Sequence, residues 1–302
     1  MKQVISLVLL GLFCSNGVLA GKANETKANG ASQSGRVING YEVNIANYRY
    51  PLILMIDERY SCGASIITAS HALTAAHCVN DFVYSPWRVT LYGGSSYVNR
   101  PVVRISVGRI AVHPYYNTNN FNYDAAVLTV PSNAFAGNSN MAGIALQNTE
   151  VPDGTRCFVV GWGRYDINRQ ETSNSLRYTN LYIVSNYECS ATFGTISPDQ
   201  VCSKNYFNME TCSGDSGSAL VCNGRLTGIV SFGVGDNRQC TSEAPTVFAK
   251  VFGPTVPLSC NLLPCFRLKL NEFFRNFVII TLRQDAQDGP ASLVHMDALL
   301  QR

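Results

Sequence analysis

The feature that most restricts the fold is a succession of short apolar runs, rich in Val, Ile, Leu and Tyr, that recur along most of the chain. Stretches rich in Gly, Pro, Asn and Ser separate these runs. The pattern is typical of an all-β fold, and we find no heptads and no repeat of solenoid length. The predicted strands are 52–56, 65–68, 88–92, 102–107, 125–130, 157–160, 181–184, 219–222 and 226–231.

The chain length of 302 residues leaves room for one large domain or two small ones. Segment 133–140, rich in Asn, Ala, Gly and Ser, is predicted to cross between two halves of the chain. We therefore predict two small antiparallel barrels packed together, with loops that meet in a cleft between them.

The first residues have the pattern of a targeting segment. Lys2 precedes a mostly apolar run, 4–13, and the small residues of Val18-Leu19-Ala20 follow. The run is too short to span a bilayer, so 1–20 is predicted to be a signal peptide. The protein is then secreted and extracellular, and its cysteines should form disulfides.

The charge of the remaining chain is balanced. The first 36 residues hold four of the 23 basic side chains and one of the 20 acidic ones, which leaves 19 of each. A near-neutral chain without a basic run predicts neither a nucleic-acid partner nor a membrane partner.

Three local patterns carry side chains that are suited to chemistry. His77 lies in Thr74-Ala75-Ala76-His77-Cys78, and Asp124 opens an apolar run. Ser216 lies in Gly214-Asp215-Ser216-Gly217, directly after an aspartate and within a pair of glycines. Each pattern alone has an ordinary interpretation, respectively a satisfied histidine, a turn residue and a tight turn.

Together the three side chains supply a nucleophile, a base and a carboxylate that can orient the base. A serine hydroxyl is a poor nucleophile and needs a base, imidazole has a suitable pKa for that base, and a buried carboxylate orients the imidazole. The chain order His77, Asp124, Ser216, with Ser218 in place of a second glycine, disfavours the α/β-hydrolase arrangement.

Six motifs in this order resemble the chymotrypsin/trypsin family of serine proteases from Arg36 to about Phe252. The motifs are Arg36-Val37-Ile38-Asn39-Gly40, Ala75-Ala76-His77-Cys78, Tyr123-Asp124-Ala125-Ala126-Val127-Leu128, Gly161-Trp162-Gly163, Gly214-Asp215-Ser216-Gly217 and Ser231-Phe232-Gly233. The resemblance implies two six-stranded antiparallel β-barrels packed face to face, an active site in the cleft and a short C-terminal helix.

The resemblance also implies a role for each site residue. Ser216 attacks the peptide carbonyl, His77 takes and later returns the proton, Asp124 orients His77, and Ser231 supports Asp124. The amides of Gly214 and Ser216 form the oxyanion hole. The segment Ser231-Phe232-Gly233 pairs with the substrate backbone as an added strand.

Activation is expected at the Arg36–Val37 bond, because family members are made as inactive precursors. The freed amine of Val37 would pair with Asp215 inside the protein, where a carboxylate is costly without a partner. This predicts an activation propeptide, 21–36, and a protease domain, 37–252, with halves of about 37–140 and 141–252. An activating protease is then a partner.

The chain has 11 cysteines, of which Cys14 leaves with the signal peptide. Spacing alone leaves their connectivity open, and a zinc site is disfavoured because no Cys-x-x-Cys pair occurs. The resemblance implies the disulfides Cys62–Cys78, Cys157–Cys222, Cys189–Cys202 and Cys212–Cys240. It implies no cofactor and no metal, and no acidic residue lies between Trp87 and Arg104 for a calcium site.

The predicted specificity pocket has an ambiguous lining. By resemblance, Glu210 forms the floor, Thr246 a wall and Gly233 the mouth. A carboxylate floor favours Lys or Arg in the substrate, as in trypsin. The β-branched Thr246 narrows the pocket and favours medium apolar or aromatic side chains, as in chymotrypsin or elastase.

The segment 253–302 departs from the family. Three prolines between 253 and 273 forbid a continuous helix, and the expected helix resumes near 275–279. We interpret 253–273 as a gene-model artefact or a genuine insertion that contains a Cys260–Cys265 loop.

The expected function is a secreted endopeptidase of protein or peptide substrates, acting in digestion as a monomer, to which protein protease inhibitors can bind. The alternative is a catalytically impaired homologue that acts as a binding or immune-regulatory protein. His71 and His295 are expected to be exposed, and His113 to be a turn residue.

Overall fold

The computed structural model of the chain describes residues 40–165, 171–206, 211–236, 239–240 and 244–252, with the side chains of 235–240 left out. The predicted signal peptide, propeptide, Arg36–Val37 bond and segment 253–302 lie outside the described residues, and so does the predicted C-terminal helix.

The described chain is built almost entirely of strands. They are β1 (Tyr41–Glu42), β2 (Pro51–Ile56), β3 (Arg59–Thr68), β4 (His71–Thr74), β5 (Val89–Gly93), β6 (Val103–Ser106), β7 (Arg109–Val112), β8 (Ala126–Thr129), β9 (Arg156–Gly161), β10 (Arg177–Val184), β11 (Gln200–Lys204), β12 (Ala219–Cys222), β13 (Arg225–Gly233), β14 (Gly235–Asp236), β15 (Gln239–Cys240) and β16 (Thr246–Lys250). The helices are α1 (Ala76–Val79) and α2 (Asn186–Phe193), with short 3-10 helices at Ile45–Asn47, Asn80–Phe82 and Pro86–Arg88.

The first sheet is a half-barrel with the antiparallel order β6-β5-β2-β3-β4-β8-β7. Its two edge strands are consecutive in the chain, separated by Val107 and Gly108. The backbone N–H of Val107 donates to Val89, next to one edge, and that of Gly108 donates to Thr129, next to the other. The core of this sheet includes the fully buried Leu52, Leu54, Ile66, Leu91 and Leu128.

The second sheet is a closed six-stranded barrel. Its order runs β10-β11-β16-β13-β12-β9 and returns to β10, and β1 pairs with the first residues of β10. Along β10, inward side chains alternate with partly exposed ones, as expected for a strand with one face in the core. These two sheets confirm the predicted all-β, two-barrel architecture, with the first barrel present as a half-barrel.

Helix α2 was not among the predicted elements. Its start is capped by Ser185, whose hydroxyl accepts a hydrogen bond from the backbone N–H of Glu188 at 3.1 Å. Its apolar residues define no clear face, so it lacks the periodicity by which amphipathic helices are recognised. Among the described residues, no helix is long and apolar enough to cross a bilayer.

Three disulfides, Cys62–Cys78, Cys157–Cys222 and Cys189–Cys202, are formed. They are three of the four pairs that the family resemblance implies. Cys212 is also disulfide-bonded. The side chain of Cys240 lies outside the described part, so the pair Cys212–Cys240 stays a prediction.

Candidate active site

The imidazole of His77 is held by two hydrogen bonds to one carboxylate. His77 lies on α1, directly after β4. Its backbone N–H donates to Asp124 Oδ1 at 2.8 Å, and its Nδ1 lies 2.7 Å from Asp124 Oδ2. The side chain of His77 is 22% exposed and that of Asp124 is fully buried. These two bonds fix the orientation of the ring and place Nδ1, not Nε2, against the carboxylate.

Asp124 is also held from the second barrel. Ser231, on β13, donates its hydroxyl hydrogen to Asp124 Oδ2 at 2.5 Å. The carboxylate therefore accepts three hydrogen bonds, which offset the cost of burying its charge. Because Asp124 precedes β8 of the first sheet, the Ser231 contact links the two sheets beside His77.

The loop 212–218, which carries Ser216, is organised around the buried carboxylate of Asp215. Asp215 Oδ1 accepts a hydrogen bond from Gly163 N at 2.9 Å, and Oδ2 accepts one from Cys212 N at 2.9 Å. Burial raises the pKa of Asp215 to about 6 despite these two donors. No basic side chain in the described ranges forms an ion pair with it.

Glycine is required where the chain passes this carboxylate. A Cβ atom at Gly163 would overlap the Asp215 carboxyl group, and one at Gly161 would overlap its Oδ1. The motif Gly161-Trp162-Gly163 is therefore explained by the close approach of backbone to Asp215. Within loop 212–218, Gly214 has φ +95°, a region that only glycine adopts without strain.

Strand β3 connects the two halves of the site. Cys62 is disulfide-bonded to Cys78, the neighbour of His77. Gly63 N donates to the carbonyl of Ser216 at 2.8 Å. Two adjacent residues of β3, Cys62 and Gly63, therefore contact the helix of His77 and the loop of Ser216.

The hydroxyl of Ser216 makes no hydrogen bond to any residue in the described part of the chain, and His77 Nε2 lies 3.6 Å from Cys78 Sγ. Cys62, His77 and Cys78 form the one cluster of metal-ligand types found among the described residues. The disulfide consumes both thiols, so this cluster offers only the imidazole as a ligand.

An aromatic surface lies next to His77. The Phe121 ring meets the His77 ring edge-on, with centroids 5.7 Å apart, and also contacts Phe232 at 5.6 Å. Phe232 in turn packs against Phe193 of α2. Phe232 was predicted as a substrate-binding residue. Phe121 and Phe193 were not, because nothing in their local sequence indicates that they converge.

The side chains predicted around the specificity pocket are described in part. The hydroxyls of Thr246 and Thr211, both buried, lie 2.8 Å apart. A Cβ atom at Gly233 would lie 3.7 Å from Thr246 Oγ1, so Thr246 faces that glycine across β13 and β16. Glu210 lies outside the described residues. Thr211 was not predicted, although its place next to Glu210 is a sequence signal for it.

The expectation for His71 is wrong. His71 is buried on β4, with Nδ1 2.7 Å from Thr68 Oγ1, because β4 is an inner strand of the first sheet. His113 is also buried, and its ring stacks on Tyr123 at 4.8 Å. Burial lowers the pKa of His113 to about 4.

The family model for trypsin matches residues 37–255. Trypsin delta of Drosophila melanogaster is 32% identical over 222 residues, which cover 72% of this chain and 85% of that protein. Trypsin alpha-4 of Lucilia cuprina is 33% identical over 222 residues, with coverage of 72% and 84%. The vitellin-degrading protease of Bombyx mori is 31% identical over 221 residues, with coverage of 72% and 81%. The chain therefore belongs to the chymotrypsin/trypsin-like family of serine proteases.

Proposed function

We propose that the protein is a secreted serine endopeptidase that cleaves peptide bonds with Ser216, His77 and Asp124. The observation that carries this proposal is the hydrogen-bonded chain from His77 through Asp124 to Ser231. A fully buried carboxylate that orients a partly exposed imidazole is the arrangement that a serine nucleophile needs.

The proposed reaction begins with attack of Ser216 Oγ on the substrate carbonyl carbon while His77 Nε2 takes the hydroxyl proton. The carbonyl oxygen becomes an oxyanion. The C–N bond then breaks, and His77 gives its proton to the leaving amine. Water repeats the sequence on the acyl-enzyme and releases the acid. Asp124 keeps Nδ1 protonated and stabilises the imidazolium.

The proposed oxyanion hole consists of the backbone amides of Gly214 and Ser216. Neither N–H donates a hydrogen bond to any other described residue, so both are available for a ligand. Both residues are partly exposed. Two free donors in a fixed loop stabilise the charge that develops on the carbonyl oxygen.

The proposed activation is cleavage after Arg36, followed by pairing of the Val37 amine with Asp215. The buried Asp215 carboxylate with its raised pKa supports this step, because a cation beside it would remove the cost of its charge. An Arg36→Gln chain, which lacks the cleavable residue, is expected to stay inactive after treatment with a trypsin-like protease.

We further propose that the specificity pocket accepts medium apolar or aromatic side chains. The Thr211–Thr246 hydroxyl pair supports this, because the two hydroxyls bond to each other and Thr246 occupies space opposite Gly233.

In tissue, the proposed role is digestive proteolysis. Ser216-dependent activity in gut fluid is the measurement for this role.

The experiment that tests the proposed function uses the full chain cut after Arg36. Turnover is measured on peptides that differ in the residue before the scissile bond, with Ser216→Ala as the control. We expect Ser216-dependent turnover with a preference for Leu, Phe or Tyr. A preference for Lys or Arg would contradict the apolar pocket and indicate that Glu210 binds the substrate. No turnover by the cut wild-type chain would favour the alternative, a binding or immune-regulatory homologue.

A further inference from the structure

A tyrosine of the first sheet donates a hydrogen bond to the loop 212–218 of the second barrel. Tyr60, on β3, donates its hydroxyl hydrogen to the carbonyl oxygen of Gly214 at 2.5 Å. The two residues are 154 positions apart in the sequence. The ring lies close as well, since a Cβ atom at Gly214 would be 3.1 Å from Tyr60 Cε1.

The carbonyl that Tyr60 holds belongs to the peptide between Gly214 and Asp215. This peptide lies between the two amides of the proposed oxyanion hole, those of Gly214 and Ser216. Its N–H, that of Asp215, donates to the carbonyl of Cys212 at 2.9 Å. Both polar groups of the peptide are therefore fixed, one by the loop itself and one by Tyr60.

Gly214 offers little resistance to rotation of this peptide. It has φ +95° and no side chain, so its own conformation is permissive. Without the Tyr60 hydroxyl, the carbonyl would lose its described partner. A change in ψ of Gly214 or in φ of Asp215 would then alter the direction of the Ser216 N–H relative to that of Gly214, and the two would no longer point at one oxygen.

The Tyr60 hydroxyl is suited to act as a constant donor. Burial, and secondarily the charge of Asp215, raise the pKa of Tyr60 well above its ordinary value. The phenol therefore stays protonated at neutral pH and well above it.

We propose that Tyr60 is a positioning residue, which fixes the Gly214–Asp215 peptide so that the amides of Gly214 and Ser216 point at the same oxygen. The inference rests on the proposed function and adds that a side chain of the other sheet positions its oxyanion hole. The competing interpretation is that the bond only joins the two sheets.

The test compares Tyr60→Phe with a matched control, Tyr92→Phe, both in the full chain cut after Arg36. Tyr92, on β5 of the same sheet, donates to Glu58 Oε2 at 2.6 Å and also accepts a hydrogen bond from Arg104 Nε at 3.2 Å. Each variant loses one hydroxyl and keeps its ring. Loss of a whole oxyanion donor costs about 10²–10³ in turnover, so a misplaced one in Tyr60→Phe should cost about tenfold in kcat with KM unchanged.

A second measurement separates positioning from stability. A peptide aldehyde adds to Ser216 Oγ and gives a hemiacetal whose oxygen enters the oxyanion hole. The matching peptide amide binds without forming this tetrahedral adduct. In Tyr60→Phe, aldehyde affinity should fall about tenfold and amide affinity should not change. In Tyr92→Phe, both affinities and kcat should match the wild type even if the melting temperature falls.

The result that overturns the inference is a kcat and an aldehyde affinity in Tyr60→Phe within about twofold of those in Tyr92→Phe. If the cut wild-type chain lacks Ser216-dependent turnover, the proposed function fails separately. Positioning is then measured by hydrogen exchange at the amide of Asp215. Faster exchange in Tyr60→Phe than in Tyr92→Phe supports it, and equal exchange overturns it.

Discussion

The two halves of the candidate site are held in different ways. His77 and Asp124, on the first sheet, are fixed by side-chain hydrogen bonds, with Ser231 as a third member. The loop 212–218 of the second barrel is fixed by backbone groups around a single carboxylate, that of Asp215. The first half therefore depends on which side chains are present, and the second on where the main chain can pass.

This difference predicts different sensitivities. A side-chain change in the first half should remove chemistry and leave the fold in place. A side chain added where the backbone passes Asp215 should move Ser216 together with both amides of the proposed oxyanion hole, because they share one short loop.

The largest effect is expected for Asp124→Asn. The amide leaves the fold intact but no longer holds His77 with Nδ1 protonated, so kcat should fall by about 10⁴. Peptide hydrolysis by the cut enzyme measures it, with the exposed Asp153→Asn as the control. A loss of less than about tenfold would mean that the His77–Asp124 pair does not work as a catalytic unit.

Gly163→Ala tests the backbone half. The added methyl would overlap the Asp215 carboxyl group, so the loop 212–218 must shift. We expect kcat to fall about 10²–10³, comparable to the loss of an oxyanion donor. The control is Gly108→Ala, where a Cβ atom would lie 3.7 Å from Thr129 O, an ordinary contact. Equal activity of the two variants would show that the loop tolerates displacement.

The pH dependence of stability should differ in sign between the halves of the uncut protein. Burial raises the pKa of Asp215 to about 6, so the folded state binds its proton more tightly, and the free energy of unfolding falls as pH rises from about 4 to 6. Burial lowers the pKa of the His113 imidazole to about 4. The backbone N–H of His113 donates to the carbonyl oxygen of Ala125, the neighbour of Asp124. The contribution of His113 to the free energy of unfolding is therefore lost as pH falls from about 6.5 to 4.

Each of these two contributions to the free energy of unfolding is on the order of 3 kcal/mol. Because their pH dependences have opposite signs, each partly offsets the other in the wild type. Urea unfolding between pH 4 and 7 separates them. Asp215→Asn should become more stable with rising pH, and His113→Gln less stable. Parallel curves for the two variants would contradict the assignment. Cleavage after Arg36 should remove the Asp215 contribution if the Val37 amine pairs with it.

The smallest effect is expected for Ser231→Ala. Asp124 keeps its two hydrogen bonds from His77 and loses the third. One hydrogen bond to a charged group corresponds to about tenfold in kcat. Ser203→Ala, which removes a buried hydroxyl without a hydrogen-bond partner among the described residues, is the control. An effect as large as that of Asp124→Asn would show that Ser231 takes part in the chemistry.

The strands and the first half of the site could be predicted from the sequence, because short patterns of neighbouring residues indicate them. The predicted run 219–222 coincides with β12, and 52–56 lies within β2. The predicted 65–68 is only the end of β3, since the polar residues at its start pair with β2 without an apolar pattern. The cap formed by Ser185 and Glu188 was a sequence signal for α2 that the weak amphipathicity concealed.

Other features depend on contacts between distant segments. The burial of His71 follows from β4 being an inner strand, which no local pattern specifies. The bond from Tyr60 to Gly214 and the approach of Phe121 to His77 arise only when sheets and loops come together. A single tyrosine or phenylalanine carries no sequence mark of such a contact.

The bonds that link the two halves have a consequence for the order of folding. Tyr60 to Gly214 and Ser231 to Asp124 span 154 and 107 positions in the sequence. Contacts between such distant residues close large loops and therefore form late. A nascent chain with only its first sheet folded would have His77 and Asp124 but no placed nucleophile. We therefore expect the complete candidate site to be the last part of the molecule to assemble, after both sheets have docked.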